Sequence, residues 1–271
     1  MERALGLMCG AGTLPAHVSA EARRQGWRVV AFAFAETPAL EGVAHRAIPS
    51  RLTDIGAVLE GLRQEQVSAV VFAGKLWKQD LLDGVAAADP AGREMLKAAG
   101  GLSDSGLAQA VVGTLAAIGI EVLDQRPFLA PLLVQPGLLT PRAPSDAEWK
   151  DIRLGLSVAR QCGGFGVGQT VVLKHGVIAA VEGIEGTSET IRRGCGLAGP
   201  GAVVVKAVAP RHDYRFDVPA VGDETLSALA EGRATALAVE AGKVLLLDRE
   251  AVVAKAGSAG IAIVSLDAGQ P

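Results

Sequence analysis

The chain has 271 residues, of which 49% are apolar and only 20% are charged. Its formal net charge of −3 and its low aromatic content of 4% give neither an electrostatic nor a stacking basis for nucleic-acid binding. The mean hydropathy of +0.32 indicates an ample core and some apolar surface for contact with a lipid or a partner.

The N-terminal segment and the cysteines predict a cytoplasmic protein. Met1–Arg3 leads directly into the apolar run Ala4–Met8, which lacks the length and the cleavage site of a signal peptide. No segment is apolar over the length that a transmembrane helix needs, so any membrane contact is expected to be peripheral. Cys9, Cys162 and Cys195 are widely spaced, match no paired zinc pattern and fit a reducing compartment.

Residues 1–130 alternate between apolar, strand-like runs and segments with helical spacing. Strands separated by helices of this length predict a parallel sheet with helices on its faces, which is a Rossmann-like N-terminal domain. The predicted strands are 4–9, 28–34, 68–73 and 121–123, and the predicted helices are 14–24, 53–66 and 107–118.

The loop after the first predicted strand is rich in glycine. Gly10 and Gly12 allow a ligand to approach the backbone, Thr13 is placed to cap the following helix, and Pro15 suits its first turn. Phosphates are often bound at such a strand-to-helix turn, but Pro15 stands where the dinucleotide fingerprint requires a glycine. We favour contact with a phosphate or nucleotide, with a simple tight turn as the alternative.

Two further features of this half suit a ligand at the carboxyl edge of the sheet. Gly74 and Lys75 follow the 68–73 strand, at the edge where ligands gather in open α/β folds. Lys75 and Lys78 can contact a phosphate there, and a solvated loop explains them equally well. Glu36 lies near the end of the second strand, where dinucleotide-binding proteins place a ribose-binding carboxylate.

The chain changes character in its middle, where five prolines fall between Pro127 and Pro144. Proline at this density opposes a continuous helix or a central strand. Residues 131–145 are therefore predicted to connect two domains, or to form a long active-site loop.

Residues 146–271 predict a C-terminal catalytic domain of mixed α/β type with antiparallel strand pairs. One hairpin is predicted through Lys174-His175-Gly176 and a second through Ala241-Gly242. Ser145 is placed to cap the first helix of this domain. The predicted strands are 169–173, 177–181, 202–206, 235–240, 243–247 and 261–265, and the predicted helices are 146–162, 187–193 and 249–256.

The segment Lys206–Gly222 concentrates charged side chains directly after an apolar strand. Asp213, Arg215 and Asp217 share one face if the chain is extended there. Such a row suits a hard cation with phosphate oxygens, because carboxylates hold the metal and a guanidinium group clamps the phosphate. A solvated ladder of ion pairs explains the same residues equally well.

Five short blocks occur in a set order along the chain. They are Gly10-x-Gly12-x-Leu14-Pro15, Ala73-Gly74-Lys75, Gly168-Gln169-Thr170-Val171-Val172, Val181-Glu182-Gly183-Ile184-Glu185-Gly186-Thr187 and Asp213-x-Arg215-x-Asp217-Val218-Pro219-x-Val221-Gly222. In this combination the sequence resembles the LpxI-type UDP-2,3-diacylglucosamine pyrophosphatases of lipid A biosynthesis over essentially its whole length. The last two blocks are specific, whereas the glycine loop alone is not.

The resemblance implies a magnesium-dependent hydrolase that cleaves the pyrophosphate of UDP-2,3-diacylglucosamine to UMP and 2,3-diacylglucosamine 1-phosphate. Asp213 and Asp217 are the expected catalytic and metal-binding residues, with Arg215 or Lys206 stabilising the developing negative charge. The substrate is an amphiphile, so peripheral contact with the inner membrane is expected, and a homodimer is left open. The expected substrate-binding residues are Gly10, Gly12, Thr13, Leu14, Gly74, Lys75, Gln169, Glu185, Gly186 and Thr187.

Two alternative functions remain open at this point. An NAD-dependent Rossmann-like oxidoreductase is favoured by the glycine loop and Glu36, but not by the missing third glycine or the charged C-terminal block. A non-catalytic nucleotide- or lipid-binding regulator would leave Asp213–Asp217 as a structural network of ion pairs.

Overall fold

The computed structural model describes residues 3–36, 40, 42–75, 87–101 and 103–267. The chain forms two compact units. The first contains Met1–Leu129 together with Asp213–Asp217, and the second contains Ala130–His212 and Val218–Pro271. Asp213–Asp217 was predicted to belong to the C-terminal domain, but its contacts place this short segment in the first unit.

The first unit is built on a five-stranded parallel sheet, in agreement with the predicted Rossmann-like fold. The strand order is β3-β2-β1-β4-β5, and every neighbouring pair is parallel. The strands are β1 (Ala4–Cys9), β2 (Arg28–Ala33), β3 (Arg46–Pro49), β4 (Val67–Ala73) and β5 (Glu121–Val122). The helices are α1 (Leu14–Arg24), α2 (Ile55–Gln64), α3 (Pro90–Ala99), α4 (Asp104–Ala116) and α5 (Arg126–Leu129).

Burial explains why the central strands read as continuous apolar runs. All six residues of β1 are buried, because helices cover both faces of a parallel sheet. One face of the sheet forms a core with Phe32 and Val70, and Phe216 from the Asp213–Asp217 segment packs against it. The segment is therefore part of the hydrophobic packing of the first unit.

The second unit is built on a six-stranded mixed sheet, as predicted for the C-terminal half. Its order is β6-β13-β11-β9-β7-β8, in which β9, β11 and β13 run parallel and the other pairings are antiparallel. Its strands are β6 (Gly137–Leu138), β7 (Thr170–Lys174), β8 (Val177–Val181), β9 (Val203–Lys206), β11 (Ala236–Glu240) and β13 (Ala262–Leu266). A separate parallel pair consists of β10 (Ala220–Val221) and β12 (Leu245–Leu246).

Helices cover the two faces of this sheet unequally. The helix α6 (Asp146–Gly164) packs on one face, where Ile152 and Leu156 meet side chains of β7 and β9. Ser145 caps α6 as predicted, in a reciprocal capping box with Glu148. The other face is covered by α7 (Thr187–Ala198), α8 (Asp223–Glu231) and α9 (Arg249–Ser258).

The first predicted hairpin is confirmed. The strands β7 and β8 pair antiparallel, with Lys174 opposite Val177 across a two-residue turn. Both turn residues have positive φ, 51° at His175 and 78° at Gly176, as the favoured two-residue hairpin turn requires. The buried Asp151 accepts hydrogen bonds from both turn N–H groups, at 2.8 and 2.7 Å, and so fixes the turn to α6.

The second predicted hairpin is wrong. The strand β11 is buried throughout and lies between β9 and β13, while β12 pairs with β10. The N–H groups of Ala241 and Gly242 donate hydrogen bonds to Leu266 O and Val134 O. The turn therefore leads away from β11 rather than back along it. A fully buried strand needs partners on both sides, and here more distant strands supply them.

Residues 131–145, predicted to connect two domains or to form a long active-site loop, belong to the second unit. Within it, β6 pairs antiparallel with β13, and Thr140 Oγ1 accepts a hydrogen bond from the N–H of Ile263 at 2.8 Å. Among the described residues, no helix is long and apolar enough to cross a membrane.

Candidate functional site

The glycine loop and the loop after β4 are joined through their backbones at the carboxyl edge of the first sheet. The N–H of Gly10 donates to Ala73 O at 2.8 Å, and Ala11 and Lys75 exchange two hydrogen bonds of 2.9 and 2.8 Å. A Cβ at Gly10 would lie 2.6 Å from Lys75 O, and one at Gly74 would lie 2.7 Å from Ala11 O. These two glycines are therefore required by the close approach of two loops.

Gly12 differs from Gly10, because a Cβ there meets no atom within 4 Å although φ is +97°. It borders open space in front of the loop, where a ligand can approach. Thr13 does not cap α1 as predicted: its own backbone is already in a helical conformation (φ −91°), and its side chain makes no cap hydrogen bond. Leu14 begins the helix and is half-buried, and Lys78 lies outside the described residues.

The predicted row of Asp213, Arg215 and Asp217 along an extended chain is wrong, because residues 214–216 form a turn. Asp213 folds back onto its own segment, accepting from the backbone N–H of Arg215 at 3.1 Å and from its guanidinium group at 2.9 and 2.7 Å. This local bonding is typical of aspartate two residues before a turn position. The pairing with Asp213 raises the pKa of Arg215, and Asp217 is exposed.

Residues just after β5 hold this turn in the first unit. The backbone N–H of Gln125 donates to Tyr214 O at 3.2 Å, and its side-chain amide donates to Arg215 O at 3.3 Å. The Arg126 guanidinium lies 3.8 Å from the centre of the Tyr214 ring. Gln125 is buried, so two backbone carbonyls of the turn are fixed from the interior of the unit. Gln125 and Arg126 were not among the residues predicted from the sequence.

The ring of Phe216 supplies a third attachment. It lies 5.0 Å from the ring of Phe72, centre to centre, near the end of β4. Phe72 precedes Gly74 by two residues, so the turn is attached to the strand whose following loop binds the glycine loop. The first unit thus brings together, along one edge of its sheet, the glycine loop, Gly74-Lys75 and the Asp213–Asp217 turn.

The second unit holds a different set of predicted residues at one edge of its own sheet. Lys206 ends β9 and is only 6% exposed. Its ammonium group donates to Thr187 Oγ1 at 2.6 Å, and that hydroxyl donates to Glu182 Oε1 at 2.9 Å. The other oxygen of Glu182 accepts from the backbone N–H of Gln169 at 3.2 Å.

Lys206 is a buried cation whose hydrogen-bond partner is a neutral hydroxyl. No carboxylate of the described residues forms an ion pair with it. An ammonium group has three donors, and burying it is costly unless charge of opposite sign is near. Lys206 is therefore suited to bind an anion, and it lies beside the N-terminus of α7, which favours negative charge as well.

Glu185 and Gly186 shape the turn that begins α7. Gly186 has φ of +81° as the cap residue. Glu185 accepts from Thr190 Oγ1 at 3.2 Å and from Arg193, and these contacts lower the pKa of its carboxyl group, with the Arg193 hydrogen bond as the main cause. Glu185 is thus engaged in holding its own loop to α7.

A buried carboxylate that the sequence analysis missed lies at the same edge. Glu240 ends β11 and is fully buried; it accepts from Arg160 at 2.8 Å, from Lys243 at 3.1 Å and from the N–H of Val208 at 2.7 Å. Burial alone would raise its pKa, but the hydrogen bonds from Val208, Lys243 and Arg160 together lower it. Glu240 therefore fixes the chain that follows Lys206.

The predicted magnesium ligands do not form a preassembled cage. Within the described part of the chain, no three His, Cys, Asp or Glu side chains are grouped so as to hold a metal ion. The carboxylate oxygens of Asp213 and Asp217 are nevertheless of the type that Mg²⁺ prefers, and Mg²⁺ usually takes one or two carboxylates and completes its shell with phosphate and water.

Together these features define a two-unit α/β protein with polar groups suited to a phosphate-bearing ligand. A family model described as the LpxI N-terminal domain matches residues 4–132, and one described as the LpxI C-terminal domain matches residues 135–264. The chain belongs to the LpxI family, as the resemblance indicated.

A curated relative extends the match over almost all of both chains. The UDP-2,3-diacylglucosamine pyrophosphatase LpxI of Caulobacter vibrioides is 28% identical over 280 residues, covering 98% of this chain and 98% of the relative. Neither the family models nor this relative supports the oxidoreductase alternative.

Two solved structures share far less with the chain. N5-Carboxyaminoimidazole synthetase from Staphylococcus aureus is 18% identical, with 66% of this chain and 41% of that chain covered and a TM-score of 0.25. Glycinamide-RNase-transformylase T from Mycobacterium tuberculosis is 16% identical, with 73% and 44% covered and a TM-score of 0.26. The chain spans less than half of either protein, and TM-scores this low support no inference.

Proposed function

We propose that this protein hydrolyses the pyrophosphate bond of UDP-2,3-diacylglucosamine, giving UMP and 2,3-diacylglucosamine 1-phosphate in lipid A biosynthesis. One observation carries the proposal: the match to the LpxI pyrophosphatase of Caulobacter vibrioides covers 98% of both chains. In the reaction a water oxygen forms a bond to one phosphorus, the bond from that phosphorus to the bridging oxygen breaks, and the bridging oxygen leaves with the other product.

The Asp213–Asp217 turn is proposed as the hydrolytic centre. Arg215 is held by both oxygens of Asp213, so its remaining donors are oriented before a phosphate arrives. Asp217 is exposed, so its carboxylate is accessible to a bound water and to an incoming pyrophosphate. A guanidinium group and carboxylates supply the two needs of the reaction, which are charge stabilisation and the orientation of water.

Magnesium is proposed as the cofactor, with Asp213 and Asp217 as its protein ligands. When bound, it neutralises charge on the phosphoryl oxygens. Two observations support this assignment: carboxylate oxygens are ligands that Mg²⁺ prefers, and Mg²⁺ usually completes its coordination shell with phosphate oxygens.

The remaining predicted residues are proposed to bind the substrate. Lys206 supplies a buried positive charge for a phosphoryl oxygen. Thr187 accepts a hydrogen bond from the Lys206 ammonium group and so orients it. Glu182 holds Thr187 in turn and also accepts from the backbone N–H of Gln169. Glu185 and Gly186 shape the same loop. The glycine-loop group is proposed to contact the nucleotide end through its backbone and the open space at Gly12. This group consists of Gly10, Gly12, Thr13, Leu14, Gly74 and Lys75.

The proposed location is the cytoplasm, with peripheral contact at the inner membrane. The substrate carries two acyl chains and therefore resides in a bilayer. No described helix could cross a membrane, and the apolar composition provides surface for contact with lipid.

The test is release of UMP from UDP-2,3-diacylglucosamine in detergent micelles, first with magnesium and then with excess chelator. We expect equal amounts of UMP and of the acylated sugar phosphate with magnesium, and loss of both with chelator that added magnesium reverses. A folded protein that releases no UMP in magnesium would refute the hydrolase proposal. Release that is unaffected by chelator would refute the role of magnesium alone.

A further inference from the structure

The exposed apolar side chains of this protein are distributed unequally between its two units. Among the described residues, every large apolar side chain that is substantially exposed lies in the second unit. Six of them lie along α6, the edge strand β8 and the loops that follow these two elements, and all but Val177, which is on the opposite face of β8 from Ile178, form one group. We name this group the α6–β8 strip; it consists of Leu154, Phe165, Val167, Ile178 and Ile184.

The sheet register places the middle of the strip on the face that α6 covers. Ile178 lies opposite Leu173 in the β7–β8 pair, and Leu173 belongs to the core beneath α6. Val158 of α6 packs against the same core. Leu154 precedes Val158 by one helical turn, so the two share one side of α6, and Phe165 is the cap residue directly after the helix. Leu154 is two residues from both Ile152 and Leu156, which face the sheet, so it lies on the outward side of α6. The strip thus comprises this outward side of α6, Ile178 of β8 and the loops that follow both elements.

The loops that follow α6 and β8 continue the strip. A Cβ at Gly168 would lie only 2.3 Å from Glu182 O, so the loop with Val167 runs directly beside the loop with Ile184. Phe165 is 81% exposed and Ile184 is 86% exposed, and both protrude from loops. This end of the strip adjoins Gln169, which is among the proposed substrate-binding residues.

Two cations accompany the strip. Lys150 precedes Leu154 by four residues and therefore shares its helix face, and Arg153 is the next residue to Leu154. Both are exposed, and neither has a hydrogen-bond or ion-pair partner among the described residues. Protruding apolar side chains flanked by unpaired cations are typical of surfaces that bind anionic bilayers.

We infer that the α6–β8 strip is the surface with which this protein rests on an anionic lipid bilayer. Phe165 and Ile184 enter the boundary between headgroups and acyl chains, and Lys150 and Arg153 face anionic headgroups. A second copy of the chain fits less well, because a two-fold interface would bring two copies of both cations into the same contact. The inference rests on the proposed function, since a two-chain lipid substrate requires access to a bilayer.

The test is co-sedimentation with phosphatidylcholine vesicles that contain about 30% phosphatidylglycerol, with pure phosphatidylcholine vesicles as reference. We expect the wild type to bind the anionic vesicles and the double variant Leu154→Ser/Phe165→Ser to bind about tenfold more weakly. The charge variant Lys150→Glu/Arg153→Glu should lose the preference for anionic vesicles. Leu197→Ser is the matched control, because Leu197 is 70% exposed but lies on α7, which covers the other face of the sheet.

Equal vesicle binding by the wild type and the Leu154→Ser/Phe165→Ser variant would overturn the inference. The inference would also be overturned if the wild type did not bind vesicles and light scattering showed a dimer that the Leu154→Ser/Phe165→Ser variant does not form. That result would identify a second copy of the chain as the occupant of the strip. Vesicle binding requires no catalysis, whereas UMP release from detergent micelles requires no bilayer. Failure of the docking surface and failure of the hydrolase proposal are therefore distinguished by two separate assays.

Discussion

The two units present polar groups at their sheet edges in different ways. The first unit relies on backbone contacts between glycine loops and on an accessible turn, where Asp213 and Arg215 remain partly exposed. The second unit buries its charges, with Lys206 only 6% exposed and Glu240 fully buried. Exposed charges contribute little to the free energy of unfolding, whereas removing one partner of a buried charge pair changes it strongly. The same kind of substitution should therefore have different consequences in the two units.

The largest expected effect is on activity in the first unit. Asp213→Asn and Asp217→Asn should each lower UMP release by at least about 100-fold, because each removes a proposed ligand or proton acceptor at the reacting group. The melting temperature should change little, since both side chains are at least partly exposed. Steady-state rates and thermal melts would check both halves of this prediction.

The matched control for these variants is Asp124→Asn. Asp124 and Arg126 form an ion pair of 2.6 Å with the same two-residue spacing and similar exposure as the 2.7 Å pair of Asp213 and Arg215. If the loss of an ion pair alone lowered activity, Asp124→Asn and Asp213→Asn would lose activity alike. We expect the control to stay within a few-fold of wild type, and near-wild-type rates in both site variants would eliminate the proposed centre.

Lys206→Met should separate activity from stability in the second unit. Loss of a buried donor to a phosphoryl group should lower UMP release by about 100-fold. The free energy of unfolding should stay equal or rise, because the variant replaces a buried cation without a described acidic partner by an apolar side chain of similar length. Lys174→Met is the control, since Lys174 lies at the opposite end of the same sheet and donates to the carbonyls of Ala198 and Pro200. A Lys206→Met variant that is destabilised but active would reverse the interpretation.

Glu240→Gln should have the opposite signature. It should lower the free energy of unfolding by about 3 kcal/mol, because Glu240 is buried and neutralises Arg160 and Lys243. Glu189→Gln is the surface control and should cost less than about 1 kcal/mol, as its pair with Arg192 is exposed. Urea unfolding would compare the two variants.

The pH dependence of unfolding gives a second measure of Glu240. Its pKa is lowered in the folded state, so its stabilisation is complete above the ordinary glutamate pKa and fades as pH falls through the lowered value. The difference between the wild type and Glu240→Gln should therefore be largest near neutral pH and shrink in acid. A difference that grows in acid would contradict the lowered pKa.

The central strands of the first unit were predicted well from the sequence, because β1, β2 and β4 are continuous apolar runs. It missed β3, whose residues Arg46–Pro49 are mostly exposed and are a strand only through pairing with β2. It also missed α3, although Asp89 before Pro90 and the left-handed Gly100 are recognisable start and stop signals. Pairing decided the false hairpin too, since the neighbours of β11 are distant in sequence.

For the candidate site, the sequence indicated residue types and left the geometry open. The Asp-x-Arg-x-Asp pattern predicted a row of charged side chains, whereas the conformation of this segment depends on the Asp213 side chain bonding back to Arg215. Its attachment depends on Gln125, which is 90 residues away from Arg215. Glu240 carried a weak signal, as a carboxylate that ends an apolar strand with Lys243 three residues on, but its partner Arg160 is 80 residues distant. Such long-range pairings are not readable from local pattern.

The smallest expected effect is on nucleotide binding by the glycine loop of the first unit. Gly10 is required for packing, whereas Gly12 borders open space. Gly10→Ala should destabilise the fold, because its Cβ would lie 2.6 Å from a backbone oxygen. Gly12→Ala should leave the fold nearly intact, apart from about 1 kcal/mol of backbone strain, and weaken UMP binding several-fold. Calorimetric titration with UMP would measure this. Gly119→Ala is the control, as Gly119 has a similar φ of +77° and open space but precedes β5 at the opposite edge of the sheet. Equal UMP affinity in the Gly12 and Gly119 variants would mean that the loop after β1 is a turn with no part in binding the nucleotide.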